Sequence, residues 1–240
     1  MLGIFVAFGI GSFAVSVVFL WLSHLRLGAK STPIPVAPFF NAVTTVWALS
    51  FGFTAAEIWS ANTDAGQAAS AERSALTRLA GMADRDALDL PVVVDGLRAY
   101  TIAIETIEWG RDFNREAAAE AEMAVQHIRL GIVNSAKQGA LPVLVGKMVQ
   151  DFDELQDARN ERLAIGRGSH SAYKWYLVIF LTVLSQIAIA SVHTDRPRAG
   201  RRALAIFTVA ATVSLWILAL HANPYVGLHS LDYTLIHVPL

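Results

Sequence analysis

Four stretches of this chain are almost free of charge, and a long polar stretch with helical spacing lies between the second and third. The four run from Leu2 to Trp21, from about Pro35 to Ala56, from about Trp175 to Val192 and from about Ala203 to Leu220. Each has roughly 18 to 22 residues, enough at 1.5 Å rise to cross a hydrocarbon core of about 30 Å. The pattern predicts four transmembrane helices. The first reads as a span and not as a cleaved signal, because no basic segment precedes it and its apolar run is too long for a signal-peptide core. Pro35 and Pro38 open the second, where a missing N–H costs little.

Residues 58–170 predict helix throughout. A first helix continues out of the second span and breaks near Met82–Asp86. Pro91 starts another, which runs to Trp109, and a third covers about Asn114 to Ala136. Gly139 and Pro142 mark a stop and a start. The next helix carries Leu141, Leu144, Met148, Phe152, Leu155 and Leu163, a stripe at helical spacing, and is expected to run on towards the third span. The predicted fold is an all-α membrane protein with four transmembrane helices and a helical extramembrane bundle inserted between spans two and three. Its divisions are 1–57 (spans one and two), 58–170 (the insert), 171–221 (spans three and four) and 222–240. That last, aromatic segment carries Tyr225, Leu228, Tyr233 and Leu235, and suits the membrane interface or a partner subunit.

Composition agrees: 54% of the 240 residues are hydrophobic and 16% charged, against about 25% charged in soluble domains. A net charge of −1 without a basic stripe excludes a nucleic-acid partner. The absence of cysteine excludes disulfides, thiolate nucleophiles and iron–sulfur ligation. Residues 58–170 hold 17 Asp and Glu against 12 Lys and Arg, a net of −5. That suits a solvated bundle surface, or a vestibule that concentrates cations.

Sidedness follows from the short loops. Arg26 and Lys30 follow the first span; Arg196, Arg198, Arg201 and Arg202 fall in the segment from His193 to Arg202. The excess of positive charge places both in the cytoplasm. The insert and both termini then face the periplasm of a bacterial inner membrane. Arg159, Arg162, Arg167 and Lys174 pull the other way.

Within the spans, Asn41, Thr44 and Thr45 are candidate pore-lining residues, expected opposite a packing face of Ala48, Gly52 and Ala56. Ser185, Gln186, Thr208 and Thr212 suit interhelical hydrogen bonds. No Asp, Glu, Lys or Arg lies deep in a span, which speaks against a proton relay. His24 and His193 fall at one membrane edge, His170 and His221 at the other. Two pairs at two depths could ligate haem, but interfacial histidines with one wet edge are the commoner case. No cofactor or metal is assigned, and no nucleophile–base–orienter set suggests an enzyme.

Specific residues resemble a family. Trp59 and Glu72, Leu97-Arg98-Ala99-Tyr100, Glu108-Trp109, Asp157-Ala158-Arg159 with Arg162-Leu163, and Asn223-Pro224-Tyr225 with Gly227 recur in this order. The arrangement resembles a bacterial membrane-protein family of unknown function described as bestrophin-like. Ser60 and Ala61 stand where that family often has an acid and a base, and Ala222 where it usually has an acid. The resemblance implies kinship with bestrophins, which are oligomeric anion channels. It also points to Glu72, Arg98, Tyr100, Glu108, Arg159 and Arg162 as a polar network of the insert. Arg159 and Arg162 share a helix face and suit clamping Glu72 or Glu108, within the bundle or around an anion or lipid headgroup.

Two functions remain open. One is a homo-oligomer in membrane lipid that conducts or senses ions, with the second span nearest its axis. The other is a non-catalytic accessory subunit docked on a larger membrane complex.

Overall fold

In the computed structural model, the described residues are 2–27, 37–168, 172–226 and 230–237. They form seven α-helices and a π-helical turn, closed by a short 3₁₀ turn, with no strand among them. The α-helices are α1 (Leu2–Leu27), α2 (Ala37–Ala83), α3 (Pro91–Ala103), α4 (Ala119–Lys137), α5 (Pro142–Gly166), α6 (Ala172–Val192) and α7 (Pro197–Leu220). The π-helical turn, Ile104–Trp109, extends α3. Four helices are long and apolar enough to cross a membrane: α1, α2, α6 and α7. The chain divides into two compact units, one of residues 1–59 and 170–222, the other of 60–169 and 223–240.

In the first unit, α1, α6 and α7 pack against one another around Leu20, Ile189, Ala190 and Leu204. Gln186 of α6 ties them together, donating from Nε2 to Ser12 Oγ of α1 at 3.2 Å and to Thr208 Oγ1 of α7 at 2.8 Å. Two hydroxyls and an amide can face apolar surroundings only by satisfying one another. The first part of α2 joins this unit through large side chains. Trp47 donates to Thr182 Oγ1 at 2.9 Å and meets the Phe207 ring edge-on. Nearer its membrane edge, Ala55 and Ile58 are buried with Leu218.

The second unit is a helical bundle of the later part of α2 with α3, α4 and α5, around Leu76, Leu79, Val93, Leu97, Ile128 and Leu155. The closing segment belongs to this unit. Tyr225 and Ile236 are buried in the same core, and the Trp109 indole donates to the Leu231 carbonyl at 3.1 Å. Of the aromatic and aliphatic residues singled out in this segment, Tyr225 and Tyr233 pack on the bundle, Leu235 stays exposed, and Leu228 lies outside the described residues.

Three elements differ from the expected pattern. The helix α5 ends at Gly166 instead of running on, because Gly168 takes a left-handed φ of +77°, the usual device for stopping a helix. The helix expected from Asn114 starts at Ala119, since Phe113 and Asn114 both have positive φ. Arg198, Arg201 and Arg202 lie in the first turns of α7, not in a loop. Cations oppose the helix dipole at an N-terminus, but Pro197 at the first helical position starts the helix there.

Candidate functional site

The second span carries the first constellation. At 100° per residue, Asn41, Thr45, Ala48, Gly52 and Ala56 fall within an arc of about 80° on α2. All five are exposed on the single chain. The polar residues and the small ones therefore share one stripe, which corrects the expectation that they lie on opposite faces. The spacing 4, 3, 4, 4 is what puts them there. Thr44 lies about 60° to one side of Asn41 and returns its hydroxyl to the helix, donating to the Phe40 carbonyl at 3.0 Å. Trp47, Phe51 and Ile58 define the side turned to the rest of the unit. A third face bears the exposed Val46, Leu49 and Phe53. The span thus presents one face to its own chain, one bulky apolar face, and one narrow face of small and polar residues.

The second constellation is a buried charge network in the bundle. Arg162 of α5 is wholly buried and donates to Glu72 of α2 through Nε at 2.6 Å and Nη2 at 3.0 Å. Nη2 also reaches Glu108 Oε2 at 2.9 Å, and Nη1 donates to the Asn114 side-chain oxygen. Arg159, one turn earlier, donates to Glu108 Oε1 from Nη2 at 2.6 Å and to Glu122 of α4 from Nη1 at 2.7 Å. The Tyr100 hydroxyl donates to Glu72 Oε1 at 2.6 Å, and the Ala118 N–H donates to Glu108 Oε1 at 3.0 Å. The guanidinium of Arg162 lies over the Trp109 ring at 5.6 Å, and Trp109 meets Tyr225 edge-on at 5.2 Å.

The buried charges balance, with Glu72 and Glu108 against Arg159 and Arg162. Burial pushes the Glu108 carboxyl up, but the Arg159 hydrogen bond, the charges of Arg162 and Arg159 and the Ala118 N–H together hold it below its ordinary range. Burial, with the charge of Glu72, drives the Tyr100 phenol well above its ordinary value. Burial weakens both arginines, yet the carboxylates facing them raise their pKa further still. Glu108, Arg159 and Arg162 stay ionised. Nothing in this set can act as a free acid or base. It fastens α2, the π-helical turn, α4 and α5 to one another.

The π-helical turn shapes the network. In α geometry Trp109 would lie about 140° round the helix from Ile104. The wider i→i+5 turn brings it back towards the same face, and Ile104, Glu108 and Trp109 are all buried. Gly166 makes a second close approach. A Cβ there would sit 2.0 Å from the Asn114 carbonyl oxygen, so only glycine allows α5 to pass this loop.

A family model for the bestrophin-like domain matches residues 6–234. The chain belongs to the bestrophin-like family. Among solved structures, a bacterial bestrophin homologue from Klebsiella pneumoniae, phased on zinc, matches with a TM-score of 0.67 at 13% identity, covering 95% of this chain and 93% of that one. A mutant of the Klebsiella homologue matches at 0.71 with 12% identity, covering 96% and 93%. At such identities the likeness is one of fold. No curated protein matches the sequence.

Of the residues singled out in this bestrophin-like chain, Glu72, Tyr100, Glu108, Arg159 and Arg162 are brought together and Arg98 is not. Arg98 is exposed and faces Asp95 at 3.8 Å. Asn114, Glu122, Trp109 and Tyr225 complete the network without having been singled out for it. A third buried carboxylate, Asp151, pairs with Arg78 at 2.6 Å and Lys147 at 2.9 Å, and carried no motif to reveal it. His24, His193 and His221 each turn Nδ1 to a backbone carbonyl, of Thr194, Ile189 and Ile217. His170 lies outside the described residues. Among the described residues, no three His, Asp or Glu gather as a metal site.

Proposed function

We propose that this chain forms a homo-oligomeric ion channel in the bacterial inner membrane, with α2 nearest the axis. The observation that carries the reading is the exposed stripe of Asn41, Thr45, Ala48, Gly52 and Ala56. Small residues let copies of a helix approach closely, and uncharged hydroxyl and amide groups suit the wall of a narrow passage. The exposed Val46, Leu49 and Phe53 on the neighbouring face give each copy an apolar surface for lipid or an adjacent subunit. In this reading residues 58–170 form an extramembrane bundle inserted between spans two and three, and the bundle and both termini face the periplasm. The buried charge network keeps the bundle rigid and does not take part in chemistry.

Purified protein in a planar bilayer tests the reading, with reversal potentials measured in asymmetric KCl. Current is expected, and Gly52→Trp should abolish it. Kinship with bestrophins implies anion preference. The net charge of −5 across residues 58–170 favours cations, a bias screened over about 8 Å at physiological ionic strength and so weaker as salt rises. Silence from homogeneous protein at both voltage signs would sink the channel and leave the accessory-subunit reading.

A further inference from the structure

We propose that the adjoining ends of α1 and α7 form a binding site for an anionic phospholipid, its phosphodiester held by arginines and one acyl chain laid against α1. This goes beyond conduction and stands whether or not the chain conducts.

On α7, Arg198, Arg201 and Arg202 stand at i, i+3 and i+4 and so share one face. With Ala205 they line a cavity of about 380 Å³. A second cavity, of about 430 Å³, is bordered by Arg201 and by His24 of α1, and floored by Val17, Val18 and Trp21. Arg201 belongs to both, so a basic mouth meets an apolar groove. Gly200 of α7 lies tightly against its neighbours: a Cβ there would sit 2.8 Å from His193 Cβ and 3.0 Å from Leu20 Cδ2 of α1.

The neighbouring Arg196 pairs with Asp195, whereas Arg198, Arg201 and Arg202 have no carboxylate partner among the described residues. A planar guanidinium grips a phosphodiester through two parallel hydrogen bonds. His24 adds a directed contact. A carbonyl can only accept, so its Nδ1 carries the proton given to Thr194 at 2.9 Å. Nε2 is left as an acceptor, suited to a headgroup hydroxyl and not to the phosphodiester, which offers no proton. A free phosphate could satisfy the arginines but not Val17, Val18 and the exposed Trp21, which lie one to two turns deeper along α1. An acyl chain attached to the same phosphate satisfies both, and basic pockets between spans suit anionic headgroups.

The test uses the full-length protein in a neutral detergent, titrated with phosphatidylglycerol, phosphatidylcholine or inorganic phosphate and read by native mass spectrometry. Phosphatidylglycerol should bind at least about tenfold tighter than phosphatidylcholine. Replacing Arg198, Arg201 and Arg202 together by Gln should remove the preference. Brominated acyl chains on phosphatidylglycerol should quench a fluorescence component that Trp21→Phe lacks. That arm keeps the proposal open to refutation if the triple variant does not fold. Equal binding of the two lipids, a preference that survives the triple substitution, or no quenching of Trp21 would each overturn the proposal. Displacement of the lipid by millimolar phosphate would assign the site to a free anion.

Discussion

Arg162 grips Glu72 across 90 residues of chain, donating to both carboxylate oxygens at 2.6 and 3.0 Å. Both side chains are wholly buried. A buried ion pair adds little net stability when intact, because desolvation offsets attraction, but removing one partner strands the other.

Arg162→Met should therefore cost about 3–5 kcal/mol, since it leaves Glu72 and part of Glu108 without their cation. Arg98→Ala, at an exposed site beside Asp95, should stay within about 0.5 kcal/mol. Thermal unfolding of the two variants in detergent checks the contrast. Equal shifts would remove the network from its structural role.

Gly166→Ala should destabilise by about 3 kcal/mol, at the upper end of overpacking costs. The added carbon would meet the Asn114 carbonyl oxygen and carbon, which are backbone and cannot rotate away. Gly146→Ala meets nothing within 4 Å and lies inside α5, where alanine is favoured by about 1 kcal/mol. The two variants should thus move melting in opposite directions.

Stability of the bundle should fall at both ends of the pH scale. Glu108 has a lowered pKa in the fold, so its contribution is complete above the ordinary carboxylate value of 4.5 and is lost as pH falls below it. Tyr100 has a raised pKa, so its contribution is complete below 10.0 and is lost as the unfolded chain ionises above it. Melting followed by circular dichroism from pH 3 to 11 checks this, and Glu108→Gln should flatten the acid limb.

Cysteines at Ser70 and Ala199, both exposed and both in a chain without native cysteine, report sidedness. A membrane-impermeant thiol reagent on intact cells should label Ser70→Cys and spare Ala199→Cys. The reverse result would invert the proposed orientation.

The sequence by itself determined the four apolar helices, the polar helical stretch between the second and third, and the family. Length, hydropathy and helical spacing are local properties, and each span records them without reference to the others. The pairing of Arg159 and Arg162 with Glu72 and Glu108 was legible as a set of candidates, because buried charge needs a partner and the motif supplied both signs. Which carboxylate each arginine takes was decided only in three dimensions, by a π-helical turn that brings Glu108 and Trp109 inward together. The positive φ of Asn114 and the close passage of Gly166 were settled there as well, since the two meet across 52 residues of chain. So was the place of the closing segment. Tyr225 and Ile236 could cover any apolar surface within reach, and the bundle's groove beside Trp109 is the one they fill. The stripe on α2 was fixed by spacing alone. Its exposure was not, because that depends on Trp47, Phe51 and Ile58 turning the opposite side of the helix towards α6 and α7.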